Sequence, residues 1–252
     1  MVRRLVDGGH HVQALGRTDE RRLTVTELGA QAVGEIAETA SGADVVVVCV
    51  FTDEQVRQAC IDDGLLAAMR PGSVLILHTT GSPTTARDLA GRAGGIGILD
   101  APVSGGPHDI AAGRITVFVG GDDDVVERAR PALACYADPI VHVGPTGAGQ
   151  LVKLVNNILF AAQIGLVAEG VRLGGSLGIE EVALLDALSH GSAGSQALSS
   201  IAATGSASAF ISKVGEFIGK DVAVVRETVA ELGVDLGLLD TVATAGIRNG
   251  YT

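Results

Sequence analysis

Short apolar segments alternate with helical patterns over roughly the first 145 residues of this 252-residue chain. Six apolar segments predict strands, at residues 11–15, 45–50, 74–78, 96–99, 115–119 and 140–143. Helical patterns lie between them, at residues 19–28, 53–60, 83–93 and 122–134. Segment 45–50 is apolar without alternation, which is typical of a strand covered on both faces. The alternation of elements predicts βαβ units and a doubly wound, mainly parallel sheet.

The pattern changes at about residue 146, after which the sequence predicts helices only. These helices are predicted at residues 151–174, 180–190, 207–217, 221–232 and 238–247, with a flexible loop or short helix at 191–206. The first of them is apolar on most of its circumference, so it has to be enclosed by its own domain or by a partner subunit. We therefore predict two domains, residues 1–146 and residues 147–252.

Charge and composition argue against several classes of partner. The formal net charge of −11 disfavours general binding to nucleic acid or to an anionic membrane. Lys153, Asn157 and Gln163 interrupt the most apolar stretch, so we expect a buried helix and no membrane span. The three cysteines lack metal-ligand spacing, and no secretory signal peptide opens the sequence. These features predict a cytoplasmic protein with reduced core cysteines and no metal site.

Lysine is scarce in this chain, because fifteen of its eighteen basic residues are arginine. A buried lysine can exchange a proton near neutral pH, whereas arginine stays protonated. Lys153 and Asn157 lie four residues apart and therefore share one face of the predicted helix. Together they could bind and polarise an oxygen function, with Lys153 as proton donor and acceptor. The alternative is a surface lysine beside an asparagine that caps a backbone group.

A Ser-Gly-Gly segment, Ser104, Gly105 and Gly106, follows the predicted strand at 96–99. Such a strand end leaves backbone N–H groups to face an anion, and glycine allows the anion to approach closely. In a doubly wound sheet, ligands bind at the carboxyl ends of strands. The segment could therefore hold a substrate carboxylate or phosphate, and the alternative is a simple Gly-Pro turn.

A second loop, Gly16-Arg17-Thr18, follows the predicted strand at 11–15. In a dinucleotide-binding fold, an acidic residue at this place binds the ribose 2′-hydroxyl, whereas an arginine accommodates a 2′-phosphate. Arg17 and the Thr18 hydroxyl therefore favour NADP over NAD. The alternative is an ordinary arginine in a loop.

Taken together, these segments resemble the β-hydroxyacid dehydrogenase family, which includes 3-hydroxyisobutyrate dehydrogenases and is related to 6-phosphogluconate dehydrogenase. The segment Asp100-Ala101-Pro102-Val103-Ser104-Gly105-Gly106 is similar to the family's substrate-binding signature. The segment Gly147-x-Gly149-x-x-x-Lys153-x-x-x-Asn157 is similar to its catalytic signature. The resemblance covers nearly the whole chain. It implies a Rossmann-type sheet, lacking its first strand here, followed by an all-helical domain with a long interdomain helix.

The resemblance also implies which residues contact the cofactor. Gly16-Arg17-Thr18 resembles the Asn-Arg-Thr of NADP-using members. Thr80 falls where a Ser-Thr pair contacts the nicotinamide side, and Lys220 resembles a lysine that reaches the cofactor. Val50 and Phe51 stand near the cofactor, where Leu-Pro is usual.

The mechanism implied by the resemblance is hydride transfer between the nicotinamide and the alcohol carbon of a small 3-hydroxy acid. Lys153 takes the hydroxyl proton during oxidation, or donates it during reduction of the semialdehyde. Asn157 helps to hold the reacting oxygen, and Ser104, Gly105 and Gly106 hold the substrate carboxylate. Members of the family usually form homodimers or homotetramers through the helical domain.

Two alternative functions follow from departures within the same resemblance. Residues 1–10 look like the tail of the helix that follows the family's Gly-x-Gly-x-x-Gly loop, so we expect that loop to be encoded upstream of Met1. Without it, the chain could be a catalytically impaired, oligomerising module. Imine reductases share the architecture and the preference for NADP, but the lysine at position 153 disfavours them.

Overall fold

The computed structural model describes residues 1–248 and divides into two compact units, Met1–Lys153 and Leu154–Thr252. The predicted domain boundary, between residues 146 and 147, lies slightly upstream of this division. It falls just before the long helix α8 (Ala148–Ser176). This helix begins in the first unit and continues through the second.

The first unit alternates strands and helices, as predicted. Its strands are β1 (Gln13–Leu15), β2 (Gln31–Val33), β3 (Val45–Val48), β4 (Val74–Leu77), β5 (Gly97–Asp100), β6 (Val103–Ser104), β7 (Ile115–Gly120) and β8 (Ala137–Gly144). Its helices before α8 are α1 (Val2–Asp7), α2 (Asp19–Glu27), α3 (Asp53–Arg57), α4 (Leu65–Ala68), α5 (Pro83–Arg92), α6 (Pro107–Ala112) and α7 (Asp123–Leu133). A 3-10 turn (Ala37–Ala40) and a π turn (Gln58–Asp62) complete this unit.

Strands β3 to β8 form one sheet, in which β3, β4 and β5 are parallel neighbours. Strand β7 runs antiparallel to β5 and β6 and parallel to β8. Strands β1 and β2 pair in parallel with each other as a separate two-stranded sheet. The predicted Rossmann-type, mainly parallel sheet is thereby confirmed.

Strand β4 shows why the sheet is wound on both faces. All four of its residues are buried, and their side chains alternate between two cores. Leu75 and Leu77 join a cluster with residues of α3, α4 and α5, whereas Val74 and Ile76 join a cluster with residues of α7. A strand covered on both faces needs apolar residues at every position, which is the pattern that predicted it.

Polar side chains bind main-chain amides at the N-termini of α5 and α3. Ser82 caps α5 by accepting a hydrogen bond from the Thr84 N–H. Asp53 does not cap α3, because Thr52 occupies the N-cap in a capping box with Gln55. Asp53 accepts a hydrogen bond from the Ser82 N–H instead, at 2.6 Å.

The second unit is all-helical in the residues that the structure describes. After α8 it contains α9 (Glu181–Ser189), α10 (Gln196–Thr204), α11 (Ala207–Glu231) and α12 (Leu238–Arg248). Helix α11 replaces two predicted helices, 207–217 and 221–232. Gly219 lies between the two predicted helices, and glycine inside an exposed helix costs about 1 kcal/mol relative to alanine. Buried residues on both sides of it, such as Ile211 and Val222, keep the helix continuous.

Helix α8 is long and apolar enough to span a membrane by length and composition alone. Core helices of soluble proteins meet the same criterion, and half of the most apolar part of α8 is buried inside the protein. Within the second unit, Leu154, Ile158 and Ala161 belong to one hydrophobic core, and Ile164 and Ala168 belong to another. These contacts bury one side of the helix in the second unit, while other apolar residues of α8 remain exposed.

The three cysteines are free, and they differ in exposure. Cys60 is buried and Cys135 is half-buried, but Cys49 is exposed at the end of β3. The prediction that all three are core residues is therefore wrong for Cys49. It follows the last residue of the strand, where the chain leaves the sheet interior.

Candidate active site

A buried carboxylate joins the two sequence signatures of the first unit. Asp100, the last residue of β5, is fully buried at 0% exposure. Its Oδ1 accepts a hydrogen bond from the Gly147 N–H at 2.6 Å, and its Oδ2 accepts one from the Gln150 N–H at 2.8 Å. The first amides of a helix have no partner within the helix, and negative charge is favourable there. Asp100 therefore caps α8 from 47 residues away in the sequence.

The glycines of the catalytic signature make room for this carboxylate. A Cβ atom on Gly149 would lie 2.5 Å from the main-chain oxygens of Asp100 and Phe118. Gly147 has φ +96°, in the left-handed region that favours glycine. A Cβ on Gly120, at the end of β7, would lie 2.5 Å from Asp100 Oδ1 and 2.7 Å from the Gly149 nitrogen. Close packing against Asp100 thus explains Gly149, and a left-handed backbone conformation explains Gly147.

Burial also changes the acidity of Asp100. Loss of water raises the pKa of Asp100 to about 6, from an ordinary value of 3.8. The Gly147 and Gln150 amides and the Arg87 guanidinium act in the opposite direction. Above this pKa, the ionised carboxylate is stabilised by main-chain amides in place of water.

A second buried side chain, Gln150, holds the loop after β4. Its Nε2 donates to the Thr79 carbonyl oxygen at 2.8 Å, and its Oε1 accepts from the Gly81 N–H at 3.0 Å. The Thr79 hydroxyl in turn bonds both the N–H and the carbonyl oxygen of Val50, each at 3.0 Å. The loop is therefore fixed on one side to the end of β3 and on the other to the start of α8.

Three predicted cofactor residues lie around this loop. Val50 and Phe51 follow β3 and are exposed, and Thr80 follows the adjacent parallel strand β4. The carboxyl ends of neighbouring parallel strands meet at one edge of a sheet, which is where ligands bind in doubly wound folds. The structure therefore brings Val50, Phe51 and Thr80 to the same edge.

Lys153 lies on α8, one turn after Gln150. Its residue is 8% exposed, which is low for a lysine. The turn before it is held by Asp100 and by the bonds of Gln150 to the β4 loop. Lys153 is thus a buried amine on a helix whose beginning is fixed to the sheet.

The Ser-Gly-Gly loop differs in one respect from its predicted form. Ser104 ends β6, and Gly105 has φ +131°. The Gly106 N–H, however, donates to Asp109 Oδ2 at 2.7 Å. Asp109 therefore competes with a substrate carboxylate for the Gly106 amide, and its charge would repel such a group.

The predicted 2′-phosphate residues follow β1. The Thr18 hydroxyl caps α2 by accepting from the Arg21 N–H at 3.3 Å. Arg17 Nη2 lies 3.6 Å from Asp63 Oδ2, and its side chain is 67% exposed. Exposed ion pairs contribute little free energy. The Arg17 guanidinium can therefore exchange Asp63 for a phosphate at small cost.

The second unit contains a separate polar group around Asp221. Asp221 Oδ2 accepts a hydrogen bond from Asn157 Nδ2 at 2.7 Å, and Asp221 Oδ1 lies 3.1 Å from Lys220 Nζ. Asn157 Oδ1 also accepts from Asn156 Nδ2 at 3.1 Å. The structure thus brings two predicted site residues, Asn157 and Lys220, together through Asp221.

A buried histidine supports the strand ends of the first unit. His78 Nδ1 lies 2.5 Å from the Ala101 carbonyl oxygen, and Nε2 lies 2.8 Å from the Tyr136 hydroxyl. Burial lowers the pKa of His78 to about 4, so its ring is neutral near pH 7. A carbonyl oxygen only accepts, so Nδ1 carries the proton and the Tyr136 hydroxyl donates to Nε2. His78 therefore has a structural role.

Four contributing residues were absent from the predicted site: Thr79, Asp100, Gln150 and Asp221. Asp100 and Gln150 each stand next to apolar segments, so burial and a need for hydrogen-bond partners were visible in the sequence. Asp221 follows Lys220 directly in the sequence. The sequence did not show their partners, which lie far away along the chain.

Two family models together match almost the whole chain. A model of the NAD-binding domain of 6-phosphogluconate dehydrogenase matches residues 1–144. A model described as NAD-binding of NADP-dependent 3-hydroxyisobutyrate dehydrogenase matches residues 147–246.

The chain is also similar to named dehydrogenases in sequence and in structure. An NAD-dependent L-serine dehydrogenase of Pseudomonas aeruginosa is 40% identical over 173 residues, which cover 68% of this chain and 58% of that protein. A structure of Mycobacterium tuberculosis 3-hydroxyisobutyrate dehydrogenase with L-serine has a TM-score of 0.85 and 30% identity, covering 96% of this chain and 86% of that one. The matches span from 58% to 80% of the first curated relatives' own lengths.

An imine reductase from Pseudomonas sp. has the same fold with less similarity. Its structure has a TM-score of 0.65 and 17% identity, covering 95% of this chain and 85% of that one. At this identity the match concerns the fold alone.

Proposed function

The chain belongs to the β-hydroxyacid dehydrogenase family, and we propose that it transfers a hydride between NADP(H) and a small 3-hydroxy acid or its semialdehyde. The family matches confirm the prediction of an NAD(P)-dependent hydroxyacid dehydrogenase at the level of the family. The preference for NADP, the type of substrate and the role of Lys153 are proposed for this chain.

The observation that carries the proposal is the burial of Lys153 on a fixed turn of α8. The nicotinamide, when bound, supplies the hydride chemistry. Lys153 Nζ supplies the proton chemistry: it accepts the hydroxyl proton of the alcohol, or donates a proton to the oxygen of the semialdehyde. A buried amine on a fixed turn suits this role, because its position on the helix is well defined.

The rest of the proposed site holds the substrate. The Ser104 hydroxyl and the Gly105 N–H are suited to bind a carboxylate, and the Gly106 N–H is available only where Asp109 releases it. Asn157 is suited to hold the reacting oxygen through its amide, while its Nδ2 is oriented by Asp221. The proposed substrate is a small carboxylate with a hydroxyl or carbonyl group at the 3-position, as membership of the family suggests.

The residues present fit a dinucleotide at both of its ends. Arg17 offers an exposed guanidinium for a 2′-phosphate, beside the Thr18 hydroxyl. Val50 and Phe51 offer exposed apolar surface at the strand edge that carries Thr80. In the second unit, Lys220 lies beside Asp221, and the resemblance to the family suggests that its charge serves the cofactor. Replacing Arg17 with Ala should raise the Kd for NADP about tenfold and leave the Kd for NAD unchanged. Equal losses for both cofactors would argue against NADP preference.

The role of Lys153 is tested by Lys153→Met, with Lys213→Met as control. Lys213 is exposed on α11, so this pair removes one amine each from a buried and an exposed position. We expect kcat with 3-hydroxy acids and NADP to fall by about 10²–10⁴-fold in Lys153→Met, with the Kd for NADP unchanged. The control should retain full turnover. An unchanged kcat in Lys153→Met would overturn the proposal.

The same assay distinguishes the alternative functions. Turnover of cyclic imines without turnover of hydroxy acids would favour an imine reductase. If the chain shows no turnover and binds neither NADP nor NAD, the result would favour an oligomerising module. Turnover of a 3-hydroxy acid excludes the module as the sole function.

We extend the proposal to a homodimer or homotetramer formed through the helical unit. Leu159, Leu166 and Leu173 are exposed on α8 at intervals of seven residues, so they form one apolar stripe. A second copy of the chain would cover such a stripe. Replacing Leu166 with Glu should shift the mass measured by light scattering towards the monomer, and an unchanged mass would contradict this interface.

We propose that the protein is cytoplasmic and that it binds neither nucleic acid nor membranes. A net charge of −11 disfavours polyanionic partners. The core contacts of α8 support its role as a core helix of a soluble enzyme and not as a membrane span.

A further inference from the structure

We propose that Asp100 is a positioning residue for the reaction: it sets the place of Lys153 by fixing the first turn of α8 to the sheet. The inference rests on the proposed proton-transfer role of Lys153. It assigns a catalytic effect to a carboxylate that acts through the helix, without touching substrate or cofactor.

The sheet holds Asp100 firmly in place. Its backbone pairs with Leu77 of β4 on one side and with Gly120 of β7 on the other. A residue between two neighbouring strands can move only if the sheet moves. The carboxylate therefore presents the helix with two acceptor oxygens at fixed positions.

The helix meets both acceptors with its own main chain. The Gly147 N–H binds Oδ1 and the Gln150 N–H binds Oδ2, so the two bonds span the first turn of α8. Main-chain donors cannot rotate away as side chains can. A change at Asp100 must therefore displace the turn itself.

The surroundings leave no room for a substitute. Gly120 and Gly149 pack against the carboxylate so closely that a methyl group on either one would overlap it or the neighbouring backbone. Arg87, on α5, is the cation that faces this region and favours the ionised form of Asp100. The cavity therefore accepts an aspartate and rejects larger side chains.

A second tether acts in parallel on the same turn. Gln150 binds the β4 loop through Thr79 and Gly81. Lys153 follows Gln150 by three residues, which is nearly one turn of about 3.6 residues. Because the helix is continuous here, a shift of the first turn carries Lys153 with it. A misplacement of roughly 1 Å can lower the rate of a positioned reaction by about 100-fold.

The experiment measures Asp100→Asn, with Asp88→Asn as control. Asparagine keeps the shape but places an NH₂ group against one of the two helix amides, so the turn should shift. We expect kcat to fall by about 10- to 100-fold, with unchanged Kd for NADP and a normal circular dichroism spectrum. Asp88 is exposed on α5, and its variant should retain the wild-type kcat. An unchanged kcat in Asp100→Asn would overturn the inference.

A double mutant separates positioning from a merely structural role. If Asp100 acts through Lys153, then Asp100→Asn should lower kcat no further in the Lys153→Met background. A general structural role would instead lower kcat by the same factor in both backgrounds, and that result would overturn the inference. Full turnover in Lys153→Met would contradict the proposed role of Lys153 itself. A loss in Lys153→Met together with equal losses from Asp100→Asn in both backgrounds would contradict only the positioning role of Asp100.

A second variant covers the case in which Asp100→Asn does not fold. Gln150→Met removes both bonds to the β4 loop and keeps a similar volume. It should lower kcat about tenfold without changing the Kd for NADP, and the loss should again vanish in the Lys153→Met background. Persistence of the loss in that background, or an unchanged kcat, would contradict positioning through the first turn.

Discussion

Two aspartates hold candidate site residues, one in each unit, and they do so differently. Asp100 is fully buried, and its oxygens accept hydrogen bonds from the main chain of α8. The Asp221 side chain is 24% exposed, and it binds the side chains of Asn157 and Lys220. The first arrangement fixes a helix, whereas the second orients individual side chains.

This difference determines how far a disturbance spreads. Removal of Asp100 leaves buried helix amides without their acceptors, and only a backbone movement can satisfy them. Removal of Asp221 leaves side chains that can rotate towards water or another partner. We therefore expect changes around Asp100 to be large and cooperative, and changes around Asp221 to be smaller and local.

The largest effect is expected from Gly120→Ala, which adds a methyl group against the Asp100 carboxylate and the Gly149 nitrogen. The free energy of unfolding, measured in urea, should fall by about 3 kcal/mol. Gly219→Ala is the matched control beside Asp221, since nothing lies within 4 Å of a Cβ at that position. It should leave stability unchanged or raise it by about 1 kcal/mol. Equal effects at both glycines would remove the contrast between the two regions.

The next largest effect is expected in the pH dependence of the free energy of unfolding. The pKa of Asp100 is raised to about 6, so between about pH 4 and pH 6 the folded protein binds a proton that the unfolded chain has lost. This contribution to the free energy of unfolding therefore falls as pH rises, by up to about 3 kcal/mol. His78, whose pKa is lowered to about 4, acts oppositely, and its contribution rises between about pH 4 and pH 6.5.

The two contributions are separated by comparing the wild type with Asp100→Asn across this range. In the variant only the histidine contribution remains of the two, so its stability should rise more steeply from pH 4 to pH 6.5. As the pH rises from 4 to 6.5, the free energy of unfolding of Asp100→Asn should increase relative to that of the wild type by up to about 3 kcal/mol. A constant difference would show that Asp100 titrates alike in the folded and unfolded chain.

A smaller effect is expected at Asp221. Asp221→Ala removes the acceptor of the Asn157 amide, which should lower kcat about tenfold, the equivalent of one hydrogen bond to a charged group. Asp221→Asn keeps an acceptor oxygen for Asn157 and loses only the charge beside Lys220, so its kcat should lie nearer the wild type. The comparison is made by steady-state kinetics at saturating NADP. Equal losses in both variants would indicate that Asn157 does not depend on this bond.

The smallest effect is expected at Asp109, which binds a main-chain amide as Asp100 does but remains partly exposed. Asp109→Ala should free the Gly106 N–H and remove a like charge. The KM for a hydroxy acid should then fall by about fivefold, which corresponds to roughly 1 kcal/mol, while kcat is unchanged. A higher KM would mean that the Asp109 bond shapes the substrate loop.

Most of the fold could be predicted, because most of its regular elements leave a local pattern in the sequence. The strand predicted at residues 45–50 is recognisable from its continuous apolar run, and the helix after residue 146 from its long apolar stretch. Strands β2 and β6 were missed, since runs of three and two residues show no alternation. Helix α11 was divided in two because the burial that overrides its glycines depends on other helices.

The candidate site was predictable in part for a similar reason. Lys153 and Asn157 stand out because polar residues are costly in an apolar helix and their spacing is local. Gln150 lies in the same segment but was not assigned a role. Its hydrogen bonds join it to Thr79 and Gly81, which lie about 70 positions away in the sequence, and no local sequence pattern reveals contacts at such a separation.

The sequence by itself determined the alternation of strands and helices, the all-helical second part and the chemical groups available for hydride-transfer chemistry. These follow from periodicity and residue type, which are local properties. The tertiary structure alone decided what each polar group binds. Hydrogen bonds form between atoms that folding brings together, so the partnership of Asp100 with α8 appears only when the end of β5 meets the first turn of the helix.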